Sequence, residues 1–148
     1  MAKLQRLKDE SRIAYIAYHA ISNLRAFSIS VFRGIVVEGA IVDLLPDDLE
    51  SVARAILSSR YYDEIRVIVL LSRDVNWFTA DLLEAFYNAV RRPVVAISLK
   101  DDKASVTCTL GCPIELGWEI VRSCSFKAYT AYLRVLEKTL GDLILGCR

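Results

Sequence analysis

One stretch, Ile65-Arg66-Val67-Ile68-Val69-Leu70-Leu71, is apolar at every position except Arg66. Its length is that of a β-strand, whereas a membrane-spanning helix needs about 18 apolar residues or more. A strand that is apolar on both of its alternating faces is usually covered on both sides, as in a parallel sheet between two layers of helices. The stretch therefore predicts the central strand of an α/β domain.

Three further strands are predicted before this stretch, over Arg12 to Tyr18, Leu24 to Phe32 and Ile35 to Leu44. The dipeptide Arg33-Gly34 predicts a hairpin turn between the last two, because glycine adopts the unusual backbone angles that such a turn requires. Short connections between the three strands favour an antiparallel meander.

Two helices and a second buried strand are predicted around the central strand. Pro46-Asp47-Asp48 is typical of a helix start, because proline suits the first helical position and carboxylates favour the positive end of the helix dipole. A second helix is predicted from Thr79, its expected cap, to Val90, and a buried strand from Pro93 to Leu99. Each strand–helix–strand unit is expected to be a crossover of the parallel type.

The last third of the chain is predicted to be mainly helical. The stretch after Lys100 to Lys103 has weak periodicity and predicts no element, whereas helices are predicted over Pro113 to Arg122 and Phe126 to Leu145. The packing face of the last helix is expected to consist of Tyr129, Tyr132, Leu133, Leu136, Leu140, Leu143 and Ile144. A meander of three antiparallel strands, then parallel strand–helix–strand units with helices on both faces, is the order of the ribonuclease H-like architecture, here in a single domain.

Composition excludes few classes of function. The chain of 148 residues has a formal net charge of +1, which neither demands nor excludes a nucleic-acid partner, because a neutral whole can carry a local basic patch. No apolar run is long enough for a membrane helix, and the charged N-terminus predicts no signal peptide. We therefore expect a cytoplasmic protein without a membrane partner.

Several stretches resemble the archaeal "domain of unknown function 99" family, which is related to endonuclease V. The likeness covers roughly Arg12 to Lys100. The similar stretches are Val31-Phe32-Arg33-Gly34, Val42-Asp43, the helix Asp48 to Ser59, Ile65 to Leu70, the set Phe78, Leu82, Glu84 and Tyr87, and Arg92 to Ile97. The resemblance implies an endonuclease V-like fold and, in its active members, phosphodiester cleavage with Mg²⁺ or Mn²⁺.

The sequence departs from the family where the family places its acidic motifs. Ala17-Tyr18-His19 stands in place of Asp-Asp-Gly at the end of the first strand, and Leu71-Ser72 in place of Asp-Gly after the central strand. The family's glycine-rich loop reads Arg73-Asp74-Val75-Asn76-Trp77, and Ile21-Ser22-Asn23 is shorter than the family's connection. Since Mg²⁺ and Mn²⁺ need carboxylate oxygens, these replacements predict a degenerate site with no metal cofactor.

Other residues are weaker candidates for a catalytic site. Asp43 matches a family aspartate, and a relocated metal site could combine it with Asp74 and Glu38; the alternative is that these are ordinary strand-end and loop charges. His19, the only histidine, could act as a general base, although no orienting carboxylate is evident in the sequence. The alternative for His19 is a partly buried hydrogen-bonding residue.

A binding surface is a further candidate. Trp77 and Phe78, with Arg73 in the same loop, could stack on a nucleic-acid base, or could cover the core or meet a second subunit. Asp101-Asp102 is a weak pair of carboxylates, because neighbours on an extended chain point to opposite sides. The spacing of Cys108, Cys112, Cys124 and Cys147 does not favour zinc, and free buried thiols are expected, with a structural disulfide as the alternative if the source is a hyperthermophile.

Three hypotheses follow. The first is a catalytically degenerate endonuclease V-like domain that acts as a binding or interaction module, with nucleic acid as a ligand by family resemblance alone. The second is an active divergent endonuclease that uses relocated carboxylates with Mg²⁺ or Mn²⁺. The third is a purely structural subunit whose aromatic loop and last helix bind a protein partner. The last helix is expected to dock on the sheet, with pairing to a second copy of itself as the alternative.

Overall fold

The computed structural model describes residues 8, 11–21, 24–43, 48–73 and 79–146. Its elements are the strands β1 (Arg12–Ile21), β2 (Leu24–Arg33), β3 (Val36–Asp43), β4 (Ile65–Ser72), β5 (Val94–Lys100) and β6 (Lys103–Leu110), and the helices α1 (Leu49–Leu57), α2 (Ala80–Val90), α3 (Ile114–Val121) and α4 (Cys124–Gly146). None of the described helices is long and apolar enough to cross a lipid bilayer.

The strands form one mixed sheet in the order β3-β2-β1-β4-β5-β6. The meander β1-β2-β3 is antiparallel, β1, β4 and β5 are mutually parallel, and β6 returns antiparallel to β5. The predicted meander and the two parallel crossovers are therefore confirmed. The fold is a mixed α/β domain with helices on both faces of a six-stranded sheet.

The central strand β4 is covered on both faces, as its sequence predicts. Ile68 and Leu70 pack with α1 and α2 on one face, which we call the α1/α2 face. Val67 and Val69 pack with α3 and α4 on the other, which we call the α4 face. Because side chains alternate along a strand, the whole apolar run is needed to bury two separate layers.

Two local signals set the boundaries of the helices on the α1/α2 face. The Asp48 carboxylate accepts a hydrogen bond of 2.6 Å from the backbone N–H of Ser51 and caps α1, while the predicted start at Pro46 and Asp47 lies outside the described residues. Thr79 caps α2 through the N–H of Leu82, as predicted. Both caps satisfy backbone donors that the first helical turn leaves without partners.

Strand β6 is the element that the sequence prediction missed. Its exposed side chains, among them Lys103, Ser105 and Thr107, are small or polar, because β6 is the outer strand of the sheet and has one face towards solvent. Asp101 and Asp102, with φ of 50° and 62°, form a two-residue turn of the kind that matches the twist of a hairpin. The paired carboxylates therefore serve as a turn.

Helix α4 also differs from its prediction. It begins at Cys124, two residues before the predicted start, and its fully buried positions end at Leu133. Leu143, predicted on the packing face, is 61% exposed, because the last turns of this helix of about 34 Å continue past the apolar surface of the sheet. The side chain of Ile144 lies outside the described residues.

Replacing a glycine by alanine is predicted to have opposite effects on stability at Gly117 of α3 and at Gly141 of α4. A Cβ at Gly117 would lie 2.8 Å from a Val106 methyl and 3.2 Å from a Val95 methyl, whereas a Cβ at Gly141 would meet nothing within 4 Å. Alanine favours both helices by about 1 kcal/mol, but valine side chains are stiff and resist displacement. We expect Gly117→Ala to lower the free energy of unfolding by about 1–2 kcal/mol and Gly141→Ala to raise it by about 0.5–1 kcal/mol.

Urea unfolding followed by circular dichroism measures both values. Equal stabilisation in the two variants would show that α3 does not lie against β5 and β6 as described.

Candidate ligand-binding site at the carboxyl ends of the parallel strands

The sheet changes direction between β1 and β4. The chain leaves β1 towards β2 on one side, and leaves β4 towards β5 on the other. Parallel strands end at the same edge, and a crevice at the point where the connections diverge is where open α/β sheets usually bind ligands. The register places Ala17 beside Leu71 at this edge, which is where the resemblance implies acidic residues.

The last residue pair of the parallel β1/β4 ladder, Ala17 and Leu71, offers no carboxylate; β1 continues beyond it to Ile21 and so does not end at Tyr18 as predicted. Ala17 and Leu71 are buried on the α4 face, and the half-buried Tyr18 points to the α1/α2 face. The next inward-facing residue on β1 is His19, which is 1% exposed. Alanine and leucine cannot coordinate a hard divalent ion, so any ligand at this edge must be held by other side chains.

His19 forms hydrogen bonds through both ring nitrogens. Its Nε2 lies 2.8 Å from the Ser28 hydroxyl on β2, and its Nδ1 lies 3.3 Å from a carboxylate oxygen of Glu137 on α4. The structure thus supplies the orienting carboxylate that is not evident in the sequence, 118 residues further along the chain. The interpretation of His19 as a buried hydrogen-bonding residue fits this geometry.

Glu137 also binds Arg73, the first residue after β4. The Arg73 guanidinium lies 2.5 Å from the second carboxylate oxygen of Glu137. Burial of Glu137 opposes its ionisation, but the hydrogen bond from His19 and the charge of Arg73 outweigh burial and hold the pKa of this carboxyl below its usual value. We call Ser28, His19, Glu137 and Arg73 the strand-end network.

Aromatic packing fixes α4 over the sheet and so positions Glu137. The Tyr129 ring stacks on Tyr15 of β1 with centroids 4.1 Å apart, and Phe32 of β2 meets both rings edge to face. The Tyr15 hydroxyl is 2.8 Å from the Ser125 hydroxyl. Glu137 lies two helical turns after Tyr129, on the same side of α4, and therefore faces the ends of β1 and β4.

The chain Ser28–His19–Glu137 has the hydrogen-bond order of a nucleophile, a general base and an orienting acid. A nucleophile must be reached by its substrate, yet Ser28 and His19 are each 1% exposed beneath α4. The four main cavities in the described part of the chain are lined by residues other than Ser28. The arrangement therefore supports packing and orientation rather than nucleophilic attack.

The other acidic candidates are not brought to this network. Glu38 pairs with Arg12 at 3.0 Å and with Arg33 at 2.9 Å, and it therefore lies at the opposite end of β1 from His19. The backbone of Asp43 aligns with Tyr18 through Phe27, two strand spacings or about 10 Å from β1. The Asp43 side chain lies outside the described residues.

The loop candidates Asp74, Trp77 and Phe78 also lie outside the described residues, and of that loop only Arg73 is placed. Within the described ranges, no three side chains of histidine, cysteine, aspartate or glutamate cluster in a way that would hold a metal ion. Of the sequence candidates, the structure brings Arg73 and His19 together on one carboxylate, that of Glu137.

Glu137 is the functional residue that the sequence interpretation missed. It falls four residues after Leu133 and eight after Tyr129, in line with the buried face of α4. A single carboxylate in an otherwise apolar stripe is costly to bury unless it is paired, and this irregularity was the available signal.

The cysteines do not contribute to the site. Cys108, Cys112 and Cys124 are free thiols, as expected, and Cys147 lies outside the described residues. Burial, followed by the proximity of Cys108, raises the pKa of the Cys112 thiol to about 11, so it is protonated near neutral pH.

Comparison with known proteins places the fold without assigning a function. No family model and no curated protein matches the chain. A protein of unknown function from Archaeoglobus fulgidus DSM 4304 is similar in structure, with a TM-score of 0.51 and 18% identity over 59% of this chain and 53% of that one. The matched part is thus about half of the length of that protein.

Argonaute from Marinitoga piezophila, solved with a 5′ OH guide RNA and target DNA, gives a TM-score of 0.48 with 7% identity. The same protein with guide RNA alone gives 0.46 with 6% identity. Each match covers 65% of this chain and 17% of that one.

The strand-end network predicts a pH-dependent contribution to stability. A carboxyl with a lowered pKa in the folded state stabilises the fold above its unfolded pKa of about 4.3, and this contribution is lost as the pH falls through the folded pKa. We expect Glu137→Gln to lower the free energy of unfolding by about 1–3 kcal/mol near neutral pH, because His19 and Arg73 lose a charged partner. The loss should shrink below about pH 4.

Urea unfolding of the wild type and of Glu137→Gln, from neutral pH to below about pH 4, tests the prediction. Glu84→Gln, which removes an exposed carboxylate without an ion pair among the described residues, controls for net charge. A loss in Glu137→Gln that stays constant down to the lowest pH would contradict the ion pair.

Proposed function

We propose that the protein is a catalytically degenerate, endonuclease V-like domain of ribonuclease H-like architecture, which acts as a binding module for nucleic acid. The strand order and the parallel β1/β4 pair support the architecture. The choice of nucleic acid as the ligand rests on the family resemblance, and the exposed part of Arg73 beside the strand ends is compatible with it.

The observation that carries the proposal is the state of Glu137, the one carboxylate that the described residues place at the strand ends. Glu137 faces the site but is bound by Arg73 and His19, and the neighbouring strand positions are Ala17 and Leu71. A divalent ion there would have to displace a guanidinium group and would be repelled by its charge. The side chains present therefore do not fit Mg²⁺ or Mn²⁺ at this place, and no cleavage step is assigned to it.

Titration with Mn²⁺ separates this proposal from an active nuclease that uses Asp43 and Asp74. We expect isothermal titration calorimetry to detect no micromolar binding of Mn²⁺, because the strand-end residues that the structure describes supply no free pair of carboxylates. We also expect the protein with Mn²⁺ to leave a single-stranded oligonucleotide uncut. Micromolar binding in the wild type that disappears in Asp43→Ala, with cleavage lost in parallel, would establish the nuclease instead.

A second function, binding of a protein partner, is favoured by the surface of β3. This outer strand exposes Val36, Val37, Ile41 and Val42, and Ile35 of the preceding turn is 65% exposed. The strand contains no lysine, arginine or proline, with which outer strands usually block pairing. A second copy of the chain is one occupant that could cover β3, since two copies can pair antiparallel about a twofold axis.

Light scattering after size-exclusion chromatography tests this second function. If two copies pair through β3, the wild type should elute with the mass of a dimer, and Ile41→Lys should convert it to a monomer by burying a charge at the interface. Arg66→Lys, an exposed change on β4, is the matched control. A wild type that remains monomeric at the highest soluble concentration would contradict self-association.

A further inference from the structure

A cleft opens beside the strand-end network, between α4 and the turn that joins β5 to β6. Its volume is about 230 Å³, which is below the roughly 300–1,000 Å³ of pockets for drug-sized ligands. Arg73 lies in its wall, and Phe126 and Leu99 line it as apolar surface. A cleft of this size suits one small group rather than a whole cofactor.

The charged side chains of the cleft are mostly basic. Arg73, Lys127 and Arg134 line it together with one carboxylate, Asp102. Lys127 and Arg134 are seven residues apart on α4, about two helical turns, and therefore lie on the same side of the helix as Thr130. Although the chain as a whole is nearly neutral, this place carries three cations against two carboxylates, Asp102 and the Glu137 that pairs with Arg73, and so has an excess of one positive charge.

The contacts of these cations leave them available to a ligand. Lys127 has no ion-pair partner among the described residues, and Arg134 meets Asp102 at 3.4 Å in a pair whose side chains are 67% and 81% exposed. An ion pair so exposed is weak and exchanges easily for a stronger partner. Arg73 binds Glu137 at one edge of its planar guanidinium, which has five N–H donors in all, and its side chain remains 37% exposed.

We propose that this cleft binds a single phosphate group. Arginine and lysine donors converge on it from two elements, and charge-assisted hydrogen bonds to phosphate are the strongest that these side chains form. The apolar surface of Phe126 and Leu99 lowers the local dielectric constant and strengthens these contacts. The phosphate can belong to a mononucleotide or to a nucleic-acid strand, and only the second source rests on the function proposed above.

Calorimetric titration with inorganic phosphate, thymidine monophosphate and a short oligothymidylate tests the cleft and distinguishes the two sources. We expect all three probes to bind the wild type and Lys127→Gln/Arg134→Gln to bind each of them on the order of tenfold more weakly or worse. The oligothymidylate should bind less tightly as salt increases, and each lost contact should reduce the slope of log K against log salt by about 0.7.

Lys138→Gln is the matched control, because Lys138 is an exposed lysine on the same helix that does not line the cleft. Amide chemical shifts of residues 126–134 that move with phosphate in the wild type provide a readout that does not depend on affinity. Both substituted side chains are exposed, so circular dichroism is expected to show that the double variant is folded.

The outcomes separate the two proposals. If the mononucleotide binds through the cleft and the oligothymidylate does not bind, the cleft inference stands and the nucleic-acid function fails. If the oligothymidylate binds equally to the wild type and the double variant, the nucleic-acid function stands and the cleft inference is overturned. Absence of binding by all three probes overturns both.

Discussion

The parallel pairing of β1 with β4 is the constraint on which the site depends. The register of Ala17 with Leu71 brings the ends of two strands to one edge of the sheet, although more than 50 residues separate them in the sequence. β4 can occupy the centre only because its apolar residues serve both helical layers, and α4 then closes the α4 face over β1 and β2. The position of the candidate site follows from this pairing, whereas its chemistry follows from the few polar side chains that reach the edge.

The strand-end network shows how such an edge can be stable without acidic strand residues. Burying a lone carboxylate is costly, so Glu137 is acceptable on the inner side of α4 only because Arg73 neutralises its charge and His19 forms a hydrogen bond with it. His19 is in turn held by Ser28, and the stack of Tyr15 on Tyr129 fixes the helix that carries Glu137. The network therefore connects β1, β2, the end of β4 and α4 by hydrogen bonds and an ion pair. The Glu137 carboxylate, which a metal ion would require as a ligand, already takes part in these contacts.

The sequence predicted the parts of the fold that depend on local pattern. The meander, the central strand and the two helices of the α1/α2 face could be recognised in the sequence. The spacing of apolar residues, the turn residues and the helix caps that define them all lie within a few neighbouring positions. β6 was missed because an outer strand with exposed Ser105 and Thr107 has little apolar signal, and Leu143 was misplaced because helical spacing does not reveal where the sheet surface ends. Of the candidate site, Arg73 and His19 were identified from their positions after strands, but their link through Glu137 depends on how α4 crosses the sheet.

Local sequence pattern also does not reveal which charged side chains the fold brings together. A formal charge of +1 hides a local excess of cations, since Arg73 follows β4 while Lys127 and Arg134 come from a helix that begins some 50 residues later. No short stretch of the sequence contains Arg73, Lys127 and Arg134 together. Each of them looks like an ordinary surface charge when its sequence neighbours alone are considered. Their convergence arises because α4 runs over the carboxyl ends of the parallel strands, with Glu137 and the basic residues on adjoining sides of the helix. One helix can thus place a carboxylate on Arg73 at the ends of the strands and, through Lys127 and Arg134 earlier in the helix, line an adjoining cleft that shares Arg73 and whose charge suits an anion.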